Sequence, residues 1–193
     1  MSWPHIALAD TTPMPWKNGG GTTRELLSWP PGVADWHWRI SVAQVETEGP
    51  FSRFDGVQRW FAVLDGEGVE LALGQGPELQ TQRLTRESPV FAFDGAQSVD
   101  CRLINGPTQD FNLMVRRVHA SAQLQRVRDS MEVHSRESGT CAVWAGASGA
   151  VLRDANGLWP LPAHTLAWTS SGPSQGLHIE SVDALYMEMV PCL

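Results

Sequence analysis

Val57-Gln58-Arg59-Trp60-Phe61-Ala62-Val63-Leu64-Asp65-Gly66, residues 57–66, runs through nine strand-compatible residues and stops at a glycine. Residues two apart share a face of a β-strand, so Arg59, Phe61 and Val63 lie on one side and Trp60, Ala62 and Leu64 on the other. That arrangement sets Arg59 among apolar neighbours and points it toward the inside of a barrel.

The end of this stretch recurs further along the chain. Ala62-Val63-Leu64-Asp65-Gly66 aligns with Ala142-Val143-Trp144-Ala145-Gly146 at an offset of 80. Ala92-Phe93 aligns with Ala167-Trp168, and Phe111-Asn112-Leu113-Met114-Val115 with Tyr186-Met187-Glu188-Met189-Val190, both at an offset of 75. Two similar β-units explain these matches most economically. The second unit is shorter in its middle, where residues 155–161 stand against 75–87.

The rest of the chain reads the same way, as short apolar runs punctuated by Gly, Pro, Asp and Ser. Strands are predicted near 36–45, 57–64, 69–73, 79–84, 90–93, 98–104 and 111–118, then near 124–133, 141–145, 150–153, 158–161, 165–169, 176–180 and 184–190. Only 121–133 carries helix formers, and it also alternates well enough to be a strand. Short strands at near-regular spacing, each unit with a Pro-led segment such as Ser88-Pro89-Val90-Phe91 or Pro162-Ala163-His164, indicate jelly-roll barrels. The predicted fold is all-β: a bicupin of two antiparallel barrels from an internal duplication, one over 1–120 and a shorter one over 121–193.

Composition narrows the function classes. The 193 residues carry 14 Lys+Arg against 21 Asp+Glu, a formal net charge of −7, and Lys17 is the single lysine among the basic residues. An acidic chain lacks the basic stripe that a nucleic-acid surface requires. Arginine binds planar anions with paired donors where lysine acts as a point charge, so a local pocket for a small carboxylate remains open. Cys101, Cys141 and Cys192 are odd in number and widely spaced, which suits buried free thiols. Met1-Ser2-Trp3-Pro4-His5 has no basic n-region, and no long apolar stretch follows, so neither a secretory signal nor a membrane span is expected. The expected location is the cytoplasm.

Three segments hold the residues with chemistry. Met14-Pro15-Trp16-Lys17-Asn18-Gly19-Gly20-Gly21-Thr22-Thr23-Arg24-Glu25 gives a backbone able to make close approaches and positive φ, but lacks the ending and context of a P-loop. In Arg39-Ile40-Ser41-Val42, Arg39 and Ser41 share a face. In Asn105–Arg117 of the sequence, Asn112, Met114 and Arg116 alternate against Phe111, Leu113 and Val115, a polar pair around a soft apolar residue that suits a ligand-lining strand.

Pro15-Trp16-Lys17-Asn18-Gly19-Gly20-Gly21, Thr23-Arg24-Glu25, Trp38-Arg39-Ile40-Ser41, Gly49-Pro50-Phe51-Ser52-Arg53-Phe54 and Asp110-Phe111-Asn112-Leu113-Met114-Val115-Arg116-Arg117 closely resemble the HutD/Ves family. The matches run in order through about residues 10–120. The resemblance implies a bicupin fold, a cytoplasmic bacterial protein and an association with histidine utilisation, in a regulatory or ligand-sensing role. Gln58 departs from the acidic residue that often precedes the arginine in that family.

Metal-dependent cupins resemble one another in a histidine-rich motif that must converge on one cation. No H-x-H occurs here, and 49–66 holds no histidine. No metal and no cofactor are expected, and no cysteine has a histidine near it in sequence. The leading expectation is a binding protein whose N-terminal barrel takes a carboxylate-bearing intermediate, formylglutamate-like or urocanate-like. Its candidate site is Asn18, Gly19, Gly20, Gly21, Arg24, Arg39, Ser41, Arg59, Asn112, Met114 and Arg116. The alternatives are a metal-independent cupin enzyme acting on such an intermediate, with Glu25 as the nominated acid or base, and a protein interaction module. A small carboxylate is the expected partner, without nucleic acid or membrane, and a homodimer is compatible with the sequence.

Overall fold

The computed structural model describes residues 3–134, 139–170 and 176–192. The strands in chain order begin with β1 (His5–Ala7), β2 (Met14–Pro15), β3 (Gly21–Trp29), β4 (Trp38–Val45), β5 (Gly49–Pro50) and β6 (Val57–Asp65). They continue with β7 (Val69–Leu73), β8 (Gln80–Leu84), β9 (Phe91–Asp94), β10 (Val99–Leu103) and β11 (Thr108–Arg116). The last six are β12 (Ala120–Val133), β13 (Thr140–Ala145), β14 (Ala150–Asp154), β15 (Gly157–Leu161), β16 (Thr165–Thr169) and β17 (Leu177–Pro191). Two 3-10 turns complete the regular structure among the described residues. No helix among the described residues is long and apolar enough to cross a membrane.

The chain divides into two compact units, Thr12–Val118 and a second made of Met1–Thr11 with His119–Leu193. The first has a six-stranded sheet in the order β2-β3-β4-β11-β6-β9 and a four-stranded sheet in the order β5-β10-β7-β8. All pairings are antiparallel. Phe61, Val63, Val69, Leu71, Leu84, Val99 and Cys101 are buried in one cluster contributed by both sheets. β-branched and aromatic side chains fit a pleated, covered surface, which is why these residues form strands. Gly66 ends β6 at φ +91, and a Cβ there would meet Pro107 O at 2.6 Å, so this turn needs glycine.

The second unit is a single curled sheet, β1-β16-β13-β17-β14-β15, with β12 on β17. β12 pairs along nearly all of β17, from Ala120 opposite Pro191 to Val133 opposite Leu177, with an irregularity between Val127 and Asp129. On its other edge β17 pairs β13 and then β14, which bends the sheet around Val143, Leu152, Ile179 and Tyr186. The ambiguous stretch 121–133 is thus strand, because β17 supplies the partner that a helix would not need. The expected boundary moves at its start: residues 5–7 pair with Thr165–Ala167 and belong to the second unit.

Both units share one pairing order, β4-β11-β6-β9 in the first and β12-β17-β13-β16 in the second. The internal repeat is therefore real at the level of topology, and its three matched segments fall on corresponding strands. The residue alignment is one place out. Asn112 stands opposite Phe61 and Ser41, and with Phe61 matched to Cys141 the residue standing likewise between β13 and β12 is Glu188, opposite Cys141 and Gln123. Phe111 faces away from the interior cluster whereas Tyr186 faces into it. A one-residue slip inverts a strand's faces, and strands buried on both sides give no polar marker to reveal it.

Candidate functional site

The interior of the first unit contains a cavity of about 520 Å³. β4 contributes Arg39, Ser41, Ala43 and Val45, β6 contributes Arg59 and Phe61, and β11 contributes Asn112 and Met114. These are alternate residues of three neighbouring strands, so the period of two by itself aims them at one space. The mouth is formed by Pro15, Trp16, Lys17 and Asn18 on one side, and by Pro50, Phe51, Ser52, Arg53 and Phe54 after β5. Thr23 of β3 completes the lining.

Arg59 is 7% exposed, as its alternation predicts. Its Nη2 donates to Asn112 Oδ1 at 3.0 Å and its Nη1 to Ser52 O at 3.4 Å. Arg39 Nη2 donates to Met114 Sδ at 3.3 Å. The Nε atoms of both arginines are buried and without a hydrogen-bond partner among the described residues. Among the described residues no carboxylate lies within ion-pair distance of either, and no acidic residue lines the cavity. Aromatic rings partly replace that missing counter-charge: the Arg59 guanidinium lies 4.9 Å from the Phe93 ring centre and 5.5 Å from Phe51, and Arg39 lies 5.2 Å from Trp36.

Burial pushes the Arg59 guanidinium down to about 10, and the neighbouring Arg39 charge acts in the same direction. Burial also lowers Arg39, opposed by the Glu25 carboxylate. Both groups stay charged at neutral pH. Arg59 is thus held in a low-dielectric chamber by neutral acceptors alone, with only the Glu25 charge set against the nearby Arg39, an arrangement that a bound anion would stabilise.

The remaining expected residues divide. Asn18 lines the mouth, and its Oδ1 accepts from Gly20 N at 3.1 Å. Gly19, Gly20 and Gly21 do not line the cavity; they hold the rim. Gly19 N donates to Trp16 O, Gly20 O accepts from Glu46 N and Thr47 N, and Trp16 N donates to Gly21 O. Arg24 pairs in register with Val42, on the face opposite Ser41, and does not line the cavity. Arg116 also lies outside it: its Nε donates to Trp36 O at 3.0 Å, with Asp35 at 3.3 Å and the Trp36 ring centre at 5.0 Å. It braces the β3–β4 connection. Glu25 accepts from Ser28 Oγ at 2.8 Å and acts on the site through its charge on Arg39. Gln58 donates to Phe93 O and accepts from Arg117, so it ties β6 to β9.

The aromatic mouth is what the candidate set lacks. Trp16 meets Phe51 edge-on at 6.2 Å, and Trp16 Nε1 donates to Thr23 Oγ1 at 2.7 Å. The signal was the Phe51-Ser52-Arg53-Phe54 loop, whose rings follow Gly49-Pro50 where no strand pattern explains them.

Asp110 lies two residues from Asn112 on the same face and is fully buried. Thr108 Oγ1 donates to its Oδ2 at 2.8 Å, while Oδ1 has no partner among the described residues. Burial raises this carboxyl to about 7. The Cys101 thiol is pushed up to about 12 by burial, with Asp110 and Glu48 adding to the shift.

The second unit fills the corresponding positions differently. By register, Phe61, Asn112, Ser41 and Asp110 correspond to Cys141, Glu188, Gln123 and Tyr186. Cys141 Sγ lies 3.5 Å from Tyr186 Oη, and Gln123 Nε2 donates to Glu188 Oε2 at 2.9 Å. The cationic pair has no counterpart there. On that unit's surface His178 is clasped by Glu132 at 2.6 Å and Glu180 at 3.0 Å, and these hydrogen bonds raise its pKa.

The HutD family model matches residues 8–187. A 21.2 kDa protein from the hutC 3′ region of Pseudomonas putida is 37% identical over 136 residues, 70% of this chain and 69% of that protein. Protein Ves of Citrobacter koseri is 33% identical over 156 residues, covering 78% and 80%. The solved structure of HutD from Pseudomonas fluorescens SBW25 superposes with a TM-score of 0.86 at 28% identity, covering 100% of both chains. Oxalate decarboxylase of Bacillus subtilis, at 7% identity and a TM-score of 0.62 over 96% of this chain and 76% of that one, shares the cupin fold alone.

Proposed function

The chain belongs to the HutD family, and from that premise we propose that its first unit is a binding chamber for a small carboxylate-bearing molecule. The observation that carries this reading is the pair of guanidiniums, Arg59 buried and Arg39 half-buried, facing a cavity with no acidic lining residue. A carboxylate entering past Trp16 and Phe51 would meet Arg59, Asn112 and Ser41. Charge-assisted hydrogen bonds of this kind contribute about 1.5–3 kcal/mol each.

The biological setting we propose is regulation of histidine utilisation in the cytoplasm, with a formylglutamate-like or urocanate-like intermediate as the ligand. The hutC-region relative and the family itself support this setting. Isothermal titration with N-formyl-L-glutamate and urocanate tests the reading. Saturable binding that Arg59→Met weakens by at least about tenfold is expected, from the loss of one such hydrogen bond. Absence of heat with either compound at millimolar concentration overturns it.

A further inference from the structure

We propose that this cavity selects dianions, and that Lys17 and Arg53 at its mouth hold the second negative group. The proposal rests on the carboxylate reading above and assigns the ligand's other end.

The argument begins with charge balance. Lys17, Arg39, Arg53 and Arg59 line the cavity, and no Asp or Glu does. Glu25 offsets Arg39 from outside the lining, so one carboxylate at Arg59 balances the floor. Lys17 and Arg53 are then unmatched. Both are exposed, whereas Arg59 is buried, which separates the four cations into a floor and a rim. They come from different segments, Lys17 from the turn between β2 and β3 and Arg53 from the loop after β5, yet they border the same space.

Neither rim cation has an acidic oxygen within ion-pair distance among the described residues. Arg53 is also anchored, because its Nε donates to Ala96 O at 2.8 Å. An anchored guanidinium loses less side-chain freedom on binding than a free one. The rings of Trp16, Phe51 and Phe61 line the same space. The cavity thus combines a buried cation, aromatic walls and exposed cations. Its complement is a molecule with a carboxylate at each end and a largely apolar carbon skeleton between them. A monoacid satisfies the floor and leaves the rim unpaired.

The rim is wet, so its discrimination is modest and sensitive to salt. Titration calorimetry at low ionic strength reads it with two pairs of near-isosteric probes, glutarate against glutaramate and N-formyl-L-glutamate against N-formyl-L-glutamine. Within each pair only one carboxylate becomes a carboxamide. In the unaltered protein the diacid is expected to bind about tenfold tighter than the amide, and the ratio to shrink as salt is raised. In the double variant Lys17→Met/Arg53→Gln the ratio falls toward one because the diacid loses far more affinity than the amide, whose remaining binding serves as the control for an intact floor. Equal binding of diacid and amide by the unaltered protein, or a ratio that survives in the rim variant, overturns the dianion proposal while leaving the carboxylate reading in place. Binding of neither member of either pair overturns the dianion proposal, and absence of urocanate binding as well overturns both.

Discussion

Arg59 shows how one residue serves a site at a cost to the fold. Its guanidinium is buried with one side-chain acceptor, Asn112 Oδ1, and a distant backbone carbonyl. Removing only the arginine would leave Asn112 unpaired, but replacing both by apolar groups of similar shape is often neutral or stabilising. The ligand-free double variant Arg59→Met/Asn112→Leu is therefore expected to be more stable by about 1 kcal/mol, read from urea midpoints, while losing carboxylate binding. Arg59→Lys should fail to restore binding, because an ammonium cannot reproduce the planar paired donors. Asp110 makes a second prediction at this scale. Its folded-state value of about 7 lies above the ordinary 3.8, so the native state holds the proton more tightly than the unfolded chain does. Stability contributed by this group is complete below about pH 4, falls as pH rises to about 7 and is level above that. The difference in urea midpoint between the protein and Asp110→Asn should drift over that window, and a difference constant between pH 4.5 and 8 contradicts it.

Among the elements, the β2–β3 turn and the β3–β4 pairing fix the rim. Gly21 begins β3 opposite Val45, and a Cβ there would overlap the Gln44 carbonyl, which belongs to the neighbouring strand and cannot move without breaking the ladder. Gly19 also sits in the turn, at φ +71, yet nothing lies within 4 Å of the position its Cβ would take. Gly21→Ala should therefore cost about 2–3 kcal/mol and disturb the cavity mouth. Gly19→Ala should cost only about 1 kcal/mol, the strain of a left-handed backbone. Thermal unfolding of the two variants checks the order, and equal losses would contradict it. The same scale explains which part of the site was legible. Arg39, Ser41, Asn112 and Met114 follow from alternation once β4 and β11 are neighbours. Arg24 does not follow, because the irregularity between Glu25 and Leu27 shifts the register of β3 against β4, a feature without a local sequence marker.

At the scale of the whole molecule, two units of one topology carry unlike interiors. The first presents Arg39 and Arg59, and the second presents Gln123, Cys141, Tyr186 and Glu188 at the positions of Ser41, Phe61, Asp110 and Asn112, with no arginine pair. One anion per chain is the expected stoichiometry in calorimetry. Hydrogen exchange with saturating diacid should show added protection in peptides from β4, β6 and β11 and none in β13 and β17, since only the first group lines the cavity. Two equivalents bound, or equal protection in both units, would contradict the division of roles.

The sequence by itself determined that the chain is all-β, that it holds two related units, and that Arg59 turns inward. Each of these depends on patterns a few residues long, the period of two and the glycine and proline breaks, which are written locally. Only the tertiary structure decided that residues 5–7 join the second unit, that Glu188 and not Met187 corresponds to Asn112, and that Trp16 and Phe51 meet across the cavity mouth. These are pairings between distant segments, and a strand apolar on both faces accepts a one-residue slip without any change in its own pattern. The anion chamber exists because three strands far apart in the chain, β4, β6 and β11, lie side by side and aim alternate residues at one volume.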